Sequence, residues 1–148
     1  MTDKFAHGLG PAVVNIEPWS QIKYPASSLT AFLTADDPAL SRHAVLIESE
    51  PAGVIAIRSP WLHGPYLQLL AILPPFQNQG YGAILLDWFE NRANPRNRWL
   101  WLCHSSFNKR AGAFYARHGF EVVAALTELM SDGGDDEILM RKRINRPK

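Results

Sequence analysis

The sequence is poor in cysteine, in net charge and in long apolar runs. Its 148 residues include one cysteine, Cys103, which excludes an intrachain disulfide and a cysteine-rich zinc site. We therefore expect no metal. The 15 basic and 14 acidic residues leave a formal charge of +1, so the overall charge does not attract the chain to nucleic acid or to an anionic membrane. Any partner must be recognised by local features.

Signals for a membrane or for export are also missing. No window approaches 18 consecutive apolar residues, and positions 1–18 lack the apolar segment of a signal peptide. We expect a cytoplasmic protein without membrane association. The length suits a single domain, 1–148. Positions 141–148 contain five basic side chains, and we expect a solvated basic tail there rather than a nucleic-acid-binding segment.

The stretch 67–90 predicts the centre of the fold. Leu67–Leu73 is apolar apart from Gln68, which is typical of a strand covered on both faces. Pro74 and Pro75 cannot continue a ladder, so they end the strand. From Tyr81, large side chains recur with the 3.6-residue period of a helix. The stretch therefore predicts a strand, a tight loop and a helix.

The predicted helix begins near Gly80, in the segment Gly80-Tyr81-Gly82. Its first N–H groups have no intrahelical partner and carry the positive end of the helix dipole, and glycine leaves space beside them. A phosphate or pyrophosphate fits such a site, although two glycines also fit an ordinary turn. The dinucleotide fingerprint is excluded because position 85 is leucine, and the Gly-Lys-Ser/Thr of a nucleoside-triphosphate loop is missing.

Alternating and periodic patterns predict the remaining elements. They are a strand at Ala12–Ile16, a helix at Ser27–Leu33, a hairpin of His43–Glu48 and Val54–Arg58 with its turn at 49–53, a strand at Arg98–Cys103, and final strands at Glu121–Leu126 and Asp136–Arg141. A helix between Leu67–Leu73 and Arg98–Cys103 implies that these two strands are parallel. The glycine loop then lies at the carboxyl end of the central strand, where open α/β sheets bind ligands.

A second amphipathic helix follows Arg98–Cys103. Ser106 or Asn108 can cap its beginning, and Gly119 suits a left-handed residue beyond its end. The residues that share its apolar face are Phe107, Ala111, Phe114, Tyr115 and His118.

Two motifs in these segments resemble the GNAT superfamily of N-acyltransferases. The first, Leu70-Ala71-Ile72 followed by Gln77-x-x-Gly80-x-Gly82-Ala83, is similar to the acyl-CoA signature of the family. The second, Asn108-x-x-Ala111-x-x-Phe114-Tyr115-x-x-x-Gly119-Phe120, is similar to its second coenzyme A motif. The resemblance implies an α/β (α+β) fold, with one domain and a mixed, mostly antiparallel sheet of about six or seven strands flanked by helices. It also implies a parallel, splayed strand pair at the coenzyme site.

The function implied by this resemblance is acetyl transfer from acetyl-CoA to a primary amine, by direct attack within a ternary complex. The acceptor would be a small molecule or a peptide. By the same resemblance, the central strand binds the pantetheine arm and the loop amides bind the pyrophosphate of the coenzyme. The implied coenzyme-binding residues are Leu70, Ala71, Ile72, Leu73, Gln77, Asn78, Gln79, Gly80, Tyr81, Gly82, Ala83, Asn108 and Tyr115.

Two catalytic roles are implied as well. The Ile72 amide would polarise the thioester carbonyl as an oxyanion-hole donor, and the Tyr115 hydroxyl would protonate the departing thiolate. Tyr115 could instead be a packed aromatic residue of an amphipathic helix. Asn108 could be a helix cap, a ligand contact or both.

The catalytic base is where the chain departs from the family pattern. Many family members carry a glutamate on the central strand, whereas the inward candidates here, Gln68 and Leu70, cannot accept a proton. His104, at the end of the neighbouring strand, is the first alternative as catalytic residue, although a histidine beside aromatic residues is often structural. A water relay is another alternative, and the remaining side-chain candidates are His63, Glu48 and Glu50.

The acceptor and the partners are less defined. The loop Asp132–Glu137 carries four carboxylates, which could attract a cationic amine or could simply be a solvated turn. Because the strand carboxylate is missing, a non-catalytic module that binds or senses acyl-CoA is the alternative to an enzyme. Four tryptophans are most simply core residues, but an exposed face could serve as a homodimer surface; they are Trp61, Trp88, Trp99 and Trp101.

Overall fold

Two helices precede the first strand, and two more lie between later strands. The structure is a computed structural model that describes residues 1–144. In chain order the elements are α1 (Asp3–Val14), α2 (Ala26–Thr34), β1 (Leu40–Ile47), β2 (Glu50–Arg58), β3 (Tyr66–Ile72), a 3₁₀ turn (Pro74–Phe76), α3 (Tyr81–Arg92), β4 (Trp99–Ser105), α4 (Lys109–Arg117), β5 (Glu121–Leu126) and β6 (Glu137–Arg143).

The six strands form one mixed sheet in the order β1-β2-β3-β4-β6-β5. Every neighbouring pair is antiparallel except β3 and β4, which are parallel and are connected by the α3 crossover. The predicted α/β fold and its parallel strand pair are confirmed. The pairing of β3 with β4 is short: Tyr66 lies opposite Trp101 and Leu67 opposite Leu102. Beyond these pairs the two strands separate, as the resemblance implied.

Apolar side chains cover both faces of β3. Leu69 and Ala71 pack with α1 and α2 on one face, whereas Leu67 and Leu70 belong to the core beneath α3 and α4 on the other. Because both faces are covered, the strand needs a nearly continuous apolar sequence rather than a strict alternation. The prediction of a central strand buried on both faces is therefore confirmed.

The predicted strand at Ala12–Ile16 is wrong, because most of that segment belongs to α1. Ala6, Leu9 and Val13 are all buried, with spacings of three and four residues that place them on one face of a helix. Glycines at positions 8 and 10 and Pro11 obscure this pattern in the sequence. The predicted helix at Ser27–Leu33, by contrast, is confirmed as α2.

The hairpin of β1 and β2 is confirmed, but its turn lies earlier than predicted. Glu48 and Ser49 form the turn, with φ values of 49° and 69°, as in the tight turns that join antiparallel strands. Gly53 lies inside β2 instead. A Cβ at this position would lie 2.2 Å from the carbonyl oxygen of Ala71, so this glycine allows close approach of two strands rather than a turn.

The predicted basic tail overlaps the last strand. Arg141, Lys142 and Arg143 are part of β6. The Arg141 guanidinium lies 3.8 Å from the ring centre of Trp99, and Lys142 Nζ lies 2.8 Å from Glu90 Oε2. These cations therefore have partners on the protein surface. Positions 145–148 of the predicted tail lie outside the described residues.

Candidate functional site

The separation of β3 from β4 opens a cavity of about 200 Å³, here called the gap cavity. Its walls come from β3, from the end of β4, from the first turn of α4 and from the loop after α1. The residues that line it are 16–19, 67–72, Gln77, 103–105, Asn108, Ala111 and Tyr115.

Backbone direction gives the gap cavity a polar wall. The Leu73 N–H donates to Ala52 O at 2.8 Å, towards β2. Backbone groups alternate in direction along an antiparallel strand, so the N–H groups of Leu70 and Ile72 point the other way, towards the gap. Consistent with this direction, Ile72 O accepts a hydrogen bond from Gln77 Nε2 at 2.8 Å. The gap cavity therefore has main-chain donors beside it.

A larger groove of about 670 Å³ lies between the start of α3 and the side of α4, and we call it the helix groove. Gly80 is the N-cap of α3, with φ 86°, and no side chain caps the helix. The first N–H groups of α3 are consequently free to bind an anion. The residues that line the groove are Ile16, Glu17, Ile72, Pro74, 76–78, 80–83, Asn108, Arg110, Ala111, Phe114 and Arg117.

Two arginines give the helix groove positive charge in addition to the helix dipole. Arg110 and Arg117 extend from α4 and line the groove opposite the α3 N-terminus. Arg110 also donates a hydrogen bond to Asn78 Oδ1, which connects α4 to the glycine loop. Phosphate groups of a bound molecule would face cationic side chains on one wall and helix amides on the other.

Tyr115 lies in the gap cavity, on the face of α4 that meets the sheet. Its ring centre is 5.4 Å from that of Phe114 and 6.1 Å from that of Phe120. Burial raises the pKa of Tyr115 to about 12, so the hydroxyl is protonated at neutral pH. Asn108 caps α4, because its Oδ1 accepts from Ala111 N–H at 3.2 Å, and it lines both cavities.

His104 lies beside Tyr115, with a distance of 6.4 Å between ring centres. Its Nδ1 is 3.0 Å from Ser105 O. A carbonyl can only accept, so Nδ1 carries the hydrogen and Nε2 is the free acceptor when the ring is neutral. The ring faces α4 closely, since a Cβ on Gly112 would lie 2.8 Å from it. His104 is thus on the α4 side of the sheet, together with Tyr115.

Most of the residues predicted for the site line one of the two cavities. Leu70, Ala71, Ile72, Gln77, His104, Asn108 and Tyr115 line the gap cavity, and Asn78, Gly80, Tyr81, Gly82 and Ala83 line the helix groove. Leu73 and Gln79 line neither cavity, and the Gln79 side chain instead donates to Pro75 O at 3.0 Å. The other candidate bases are remote: Glu48 is in the hairpin turn, Glu50 begins β2, and His63 lines a separate surface pocket.

Sequence reasoning missed a polar cluster on the face of the sheet away from α4. Tyr66 and Cys103 belong to this cluster, and burial raises the pKa of both groups. Ser105 Oγ donates to Glu137 Oε1 at 2.8 Å. Desolvation also raises the pKa of Glu137, against the opposing effects of the Ser105 hydrogen bond and of His104. In the sequence, the alternation of Cys103 and Ser105 along β4 was the available signal for this cluster. Its other members, Tyr66 and Glu137, belong to strands that are distant in the chain.

The sequence also did not predict the hydrogen bond that fixes the side chain of Gln68, a residue that lines the gap cavity. Arg58 Nε donates to Gln68 Oε1 at 2.8 Å, and Arg58 Nη1 lies 3.0 Å from Asp37 Oδ2. The hydrogen bond from Arg58 lowers the pKa of Asp37. Among residues 1–144, no cluster of three or more His, Cys, Asp and Glu side chains could hold a metal ion.

The sequence matches the acetyltransferase (GNAT) family over residues 11–120. This match covers most of the chain, which therefore belongs to the GNAT family. The membership confirms the family predicted from the two motifs and with it the enzyme class, an acyl-CoA-dependent N-acyltransferase that uses acetyl-CoA. A comparison with curated proteins finds no match.

Solved structures share the fold at low sequence identity. An acetyltransferase from Thermus thermophilus is 21% identical, with a TM-score of 0.77 over 97% of this chain and 93% of the other. The ribosomal-protein-S18-alanine N-acetyltransferase from Escherichia coli is 20% identical, with a TM-score of 0.72 over 99% and 90%. An aminoglycoside 6'-N-acetyltransferase complexed with coenzyme A is 18% identical, with a TM-score of 0.72 over 97% and 93%.

Proposed function

We propose that the protein transfers an acetyl group from acetyl-CoA to a primary amine, by direct attack of the amine within a ternary complex. The observation that carries this proposal is the junction of the two cavities. Six residues line both the helix groove and the gap cavity; they are Ile16, Glu17, Ile72, Gln77, Asn108 and Ala111. A molecule anchored in the groove can therefore extend its far end into the gap, where a second molecule can meet it.

The helix groove suits the nucleotide part of the coenzyme. The pyrophosphate would bind the first N–H groups of α3 around Gly80 and Gly82, with Arg110 and Arg117 facing the remaining phosphate charge. The pantetheine arm would then follow β3 into the gap, beside the amide groups of Leu70 and Ile72. The coenzyme A complex of the aminoglycoside acetyltransferase, which shares the fold, supports this arrangement.

The chemistry needs a donor for the thioester oxygen and a proton for the thiolate. The Ile72 N–H, directed towards the gap, would hydrogen-bond the carbonyl oxygen and stabilise the negative charge that develops on it. Tyr115 would give its proton to sulfur as the C–S bond breaks. Both groups border the gap cavity, so they can act on one thioester. In this scheme no acyl group is transferred to the protein.

The acceptor would be a small molecule or a peptide with a protonated amine. The relatives in fold include one enzyme named for an alanine of ribosomal protein S18 and one named for aminoglycosides, so the fold serves acceptors of both kinds. The longest helices within residues 1–144, α1 and α3, have 12 residues each, and none of the helices there could span a membrane. The cytoplasmic location, the homodimer and the absence of a nucleic-acid partner stay predictions.

An acceptor screen tests this function. Purified protein and acetyl-CoA would be incubated with polyamines, aminoglycosides, amino acids and peptides with free N-termini, and release of free thiol would be followed. Amine-dependent thiol release, with the acetylated amine identified by mass spectrometry, is the expected result. Calorimetry with coenzyme A is the matching control. Tight coenzyme binding without turnover over the whole panel would instead favour a non-catalytic acyl-CoA-binding module.

A further inference from the structure

Glu137 is the first residue of β6, and its carboxylate is hydrogen-bonded to a residue that lines the gap cavity. In the sheet it is directly opposite Ser105 of β4, which lines that cavity and is 4% exposed. The hydrogen bond from Ser105 Oγ to Glu137 Oε1 fixes the carboxylate in this place. One oxygen is thereby held, and the other can bind a ligand.

In the described part of the chain, this carboxylate forms no ion pair. The ion pairs within residues 1–144 are Arg58–Asp37, Arg141–Glu121 and Lys142–Glu90, and none involves Glu137. Glu137 is nevertheless half-buried, so its charge is partly removed from water without compensation by a paired lysine or arginine. A half-buried carboxylate in this state favours a cationic ligand.

Burial raises the pKa of Glu137, and the Ser105 hydrogen bond and two neighbouring groups modify it. On β4, His104 favours the charged carboxylate, whereas the Asp135 charge in the preceding loop opposes it. Cys103, two residues before Ser105 on β4, is on the same face of the sheet as Glu137, and burial raises the pKa of its thiol. On the other side, β5 presents Leu126 opposite Glu137. No fixed positive charge is part of this group.

The face of the sheet decides between Glu137 and His104 as proton acceptor. Side chains alternate along β4, so Ser105 and Cys103 point away from the face on which His104 packs against Tyr115 and α4. Tyr115, in the proposed function, serves the departing thiolate on the α4 side. The amine must approach from the side that α4 leaves open. Glu137 is on that side, joined to the cavity through Ser105.

We propose that Glu137 is the acceptor carboxylate of this enzyme, which binds the ammonium group of a cationic primary amine and takes its proton. This inference rests on the proposed function. The ammonium loses one proton to Glu137, and the neutral nitrogen attacks the thioester carbon. The N–C bond forms, the C–S bond breaks, and the thiolate takes the Tyr115 proton. The nitrogen then loses a second proton, which restores Tyr115, and Glu137 releases its proton to water.

Kinetics as a function of pH provide the first test. The probes are spermidine and trialanine, and thiol release is measured between pH 6 and pH 10. For Glu137→Gln, which can still accept from Ser105, we expect kcat/KM to fall about 100-fold at pH 7. The deficit should shrink towards pH 10, because the solution then supplies deprotonated amine. In the wild type, the raised pKa of Glu137 means that activity falls on the acid side at a higher pH than for an ordinary carboxyl group.

The matched control is Glu121→Gln, the same substitution at an exposed carboxylate of β5 that pairs with Arg141 and lines neither cavity; it should retain wild-type kcat/KM within about two-fold. Both variants should bind coenzyme A with wild-type affinity in calorimetry. A Glu137→Gln enzyme that is fully active, or one whose deficit is the same at every pH, would overturn the proposal.

A second measurement does not depend on turnover. The ¹³C carboxyl signal of Glu137, assigned by its loss in Glu137→Gln, would be titrated in the coenzyme A complex with each probe. Spermidine or trialanine should lower the pKa of Glu137, whereas N-acetyltrialanine, which lacks the amine, should not. If coenzyme A binds but neither amine affects this titration, Glu137 is not the acceptor site. If coenzyme A itself does not bind, the proposed function fails instead.

Discussion

Arg58 and Gln68 are joined by a hydrogen bond of 2.8 Å from Arg58 Nε to Gln68 Oε1. Because the guanidinium only donates, the oxygen of the Gln68 amide must face Arg58, and the NH₂ group remains free to donate. Gln68 lines the gap cavity, so this NH₂ group is available to hydrogen-bond the amine substrate that accepts the acetyl group. In a chain without a carboxylate at this part of the strand, the fixed glutamine would select acceptors that carry a hydrogen-bonding oxygen.

Replacing Arg58 by alanine should release the Gln68 amide and weaken acceptor binding. We expect the KM for the acceptor to rise about five-fold, corresponding to about 1 kcal/mol for one hydrogen bond. Affinity for coenzyme A should not change. Arg42→Ala is the matched control, because Arg42 donates to Phe32 O and lines neither cavity. Steady-state kinetics with an amine from the screen would measure both variants, and equal effects in the two would contradict this role of Gln68.

A carboxylate in the helix groove should prevent coenzyme binding. Gly82→Glu places negative charge beside the first N–H groups of α3, where the pyrophosphate would lie, and its Cβ meets the Phe114 ring at 3.2 Å. We expect affinity for coenzyme A to fall at least about 100-fold, since like charges repel at short range. Calorimetry measures the affinity directly.

The control for that experiment introduces a glutamate on the outer face of α3 instead. Ile84 is 60% exposed and lies outside the helix groove, so Ile84→Glu should bind coenzyme A as the wild type does. Unchanged affinity in Gly82→Glu would mean that the phosphates bind elsewhere.

Removing the Tyr115 hydroxyl should affect turnover more than coenzyme binding. Tyr115→Phe keeps the ring contacts with Phe114 and Phe120 but removes the proton donor. We expect kcat to fall about 100-fold, with the dissociation constant for coenzyme A changed less than about two-fold. Tyr24→Phe is the control, because Tyr24 packs against the core of α1 and α2 and lines neither cavity. Comparable losses of turnover and of affinity would assign Tyr115 to packing.

Gly64 should be required for stability rather than for catalysis. A Cβ there would lie 1.6 Å from Trp99 O, which belongs to β4, so the strand would have to move. We expect Gly64→Ala to lower the free energy of unfolding by about 2 to 3 kcal/mol. Gly8, exposed in α1, has nothing within 4 Å of its Cβ position, and Gly8→Ala should raise stability by about 0.5 to 1 kcal/mol. Urea unfolding measures both, and a Gly64→Ala protein of wild-type stability would refute this expectation.

The parts of the fold that were predicted correctly have local signals. Pro74 and Pro75 end β3 within a few residues, and Gly80 starts α3, so this segment can be read without knowledge of distant contacts. The strand predicted at Ala12–Ile16 failed because a short apolar segment fits either a strand or the end of a helix. Only the buried positions further back along α1 decide between them.

The acceptor side of the site could not be predicted in the same way. The hydrogen bond between Ser105 and Glu137 connects positions 32 apart in sequence, and it depends on the register of β6 on β4. A shift of one residue would turn Glu137 to the other face of the sheet. The sequence did indicate an acidic loop at Asp132–Glu137, but it could not single out the carboxylate of that loop that is hydrogen-bonded to Ser105.

The short ladder between β3 and β4 also affects the stability of the whole protein. Tyr66 and Leu67 are the β3 residues paired with β4, so the three-stranded halves on either side share little main-chain bonding. A coenzyme lying in the gap would supply contacts to both halves at once, and at a concentration about 100 times its dissociation constant it would stabilise the folded state by about 2.7 kcal/mol. The coenzyme would then act as a structural component as well as a substrate. The coenzyme-free enzyme would be the form most exposed to unfolding and proteolysis.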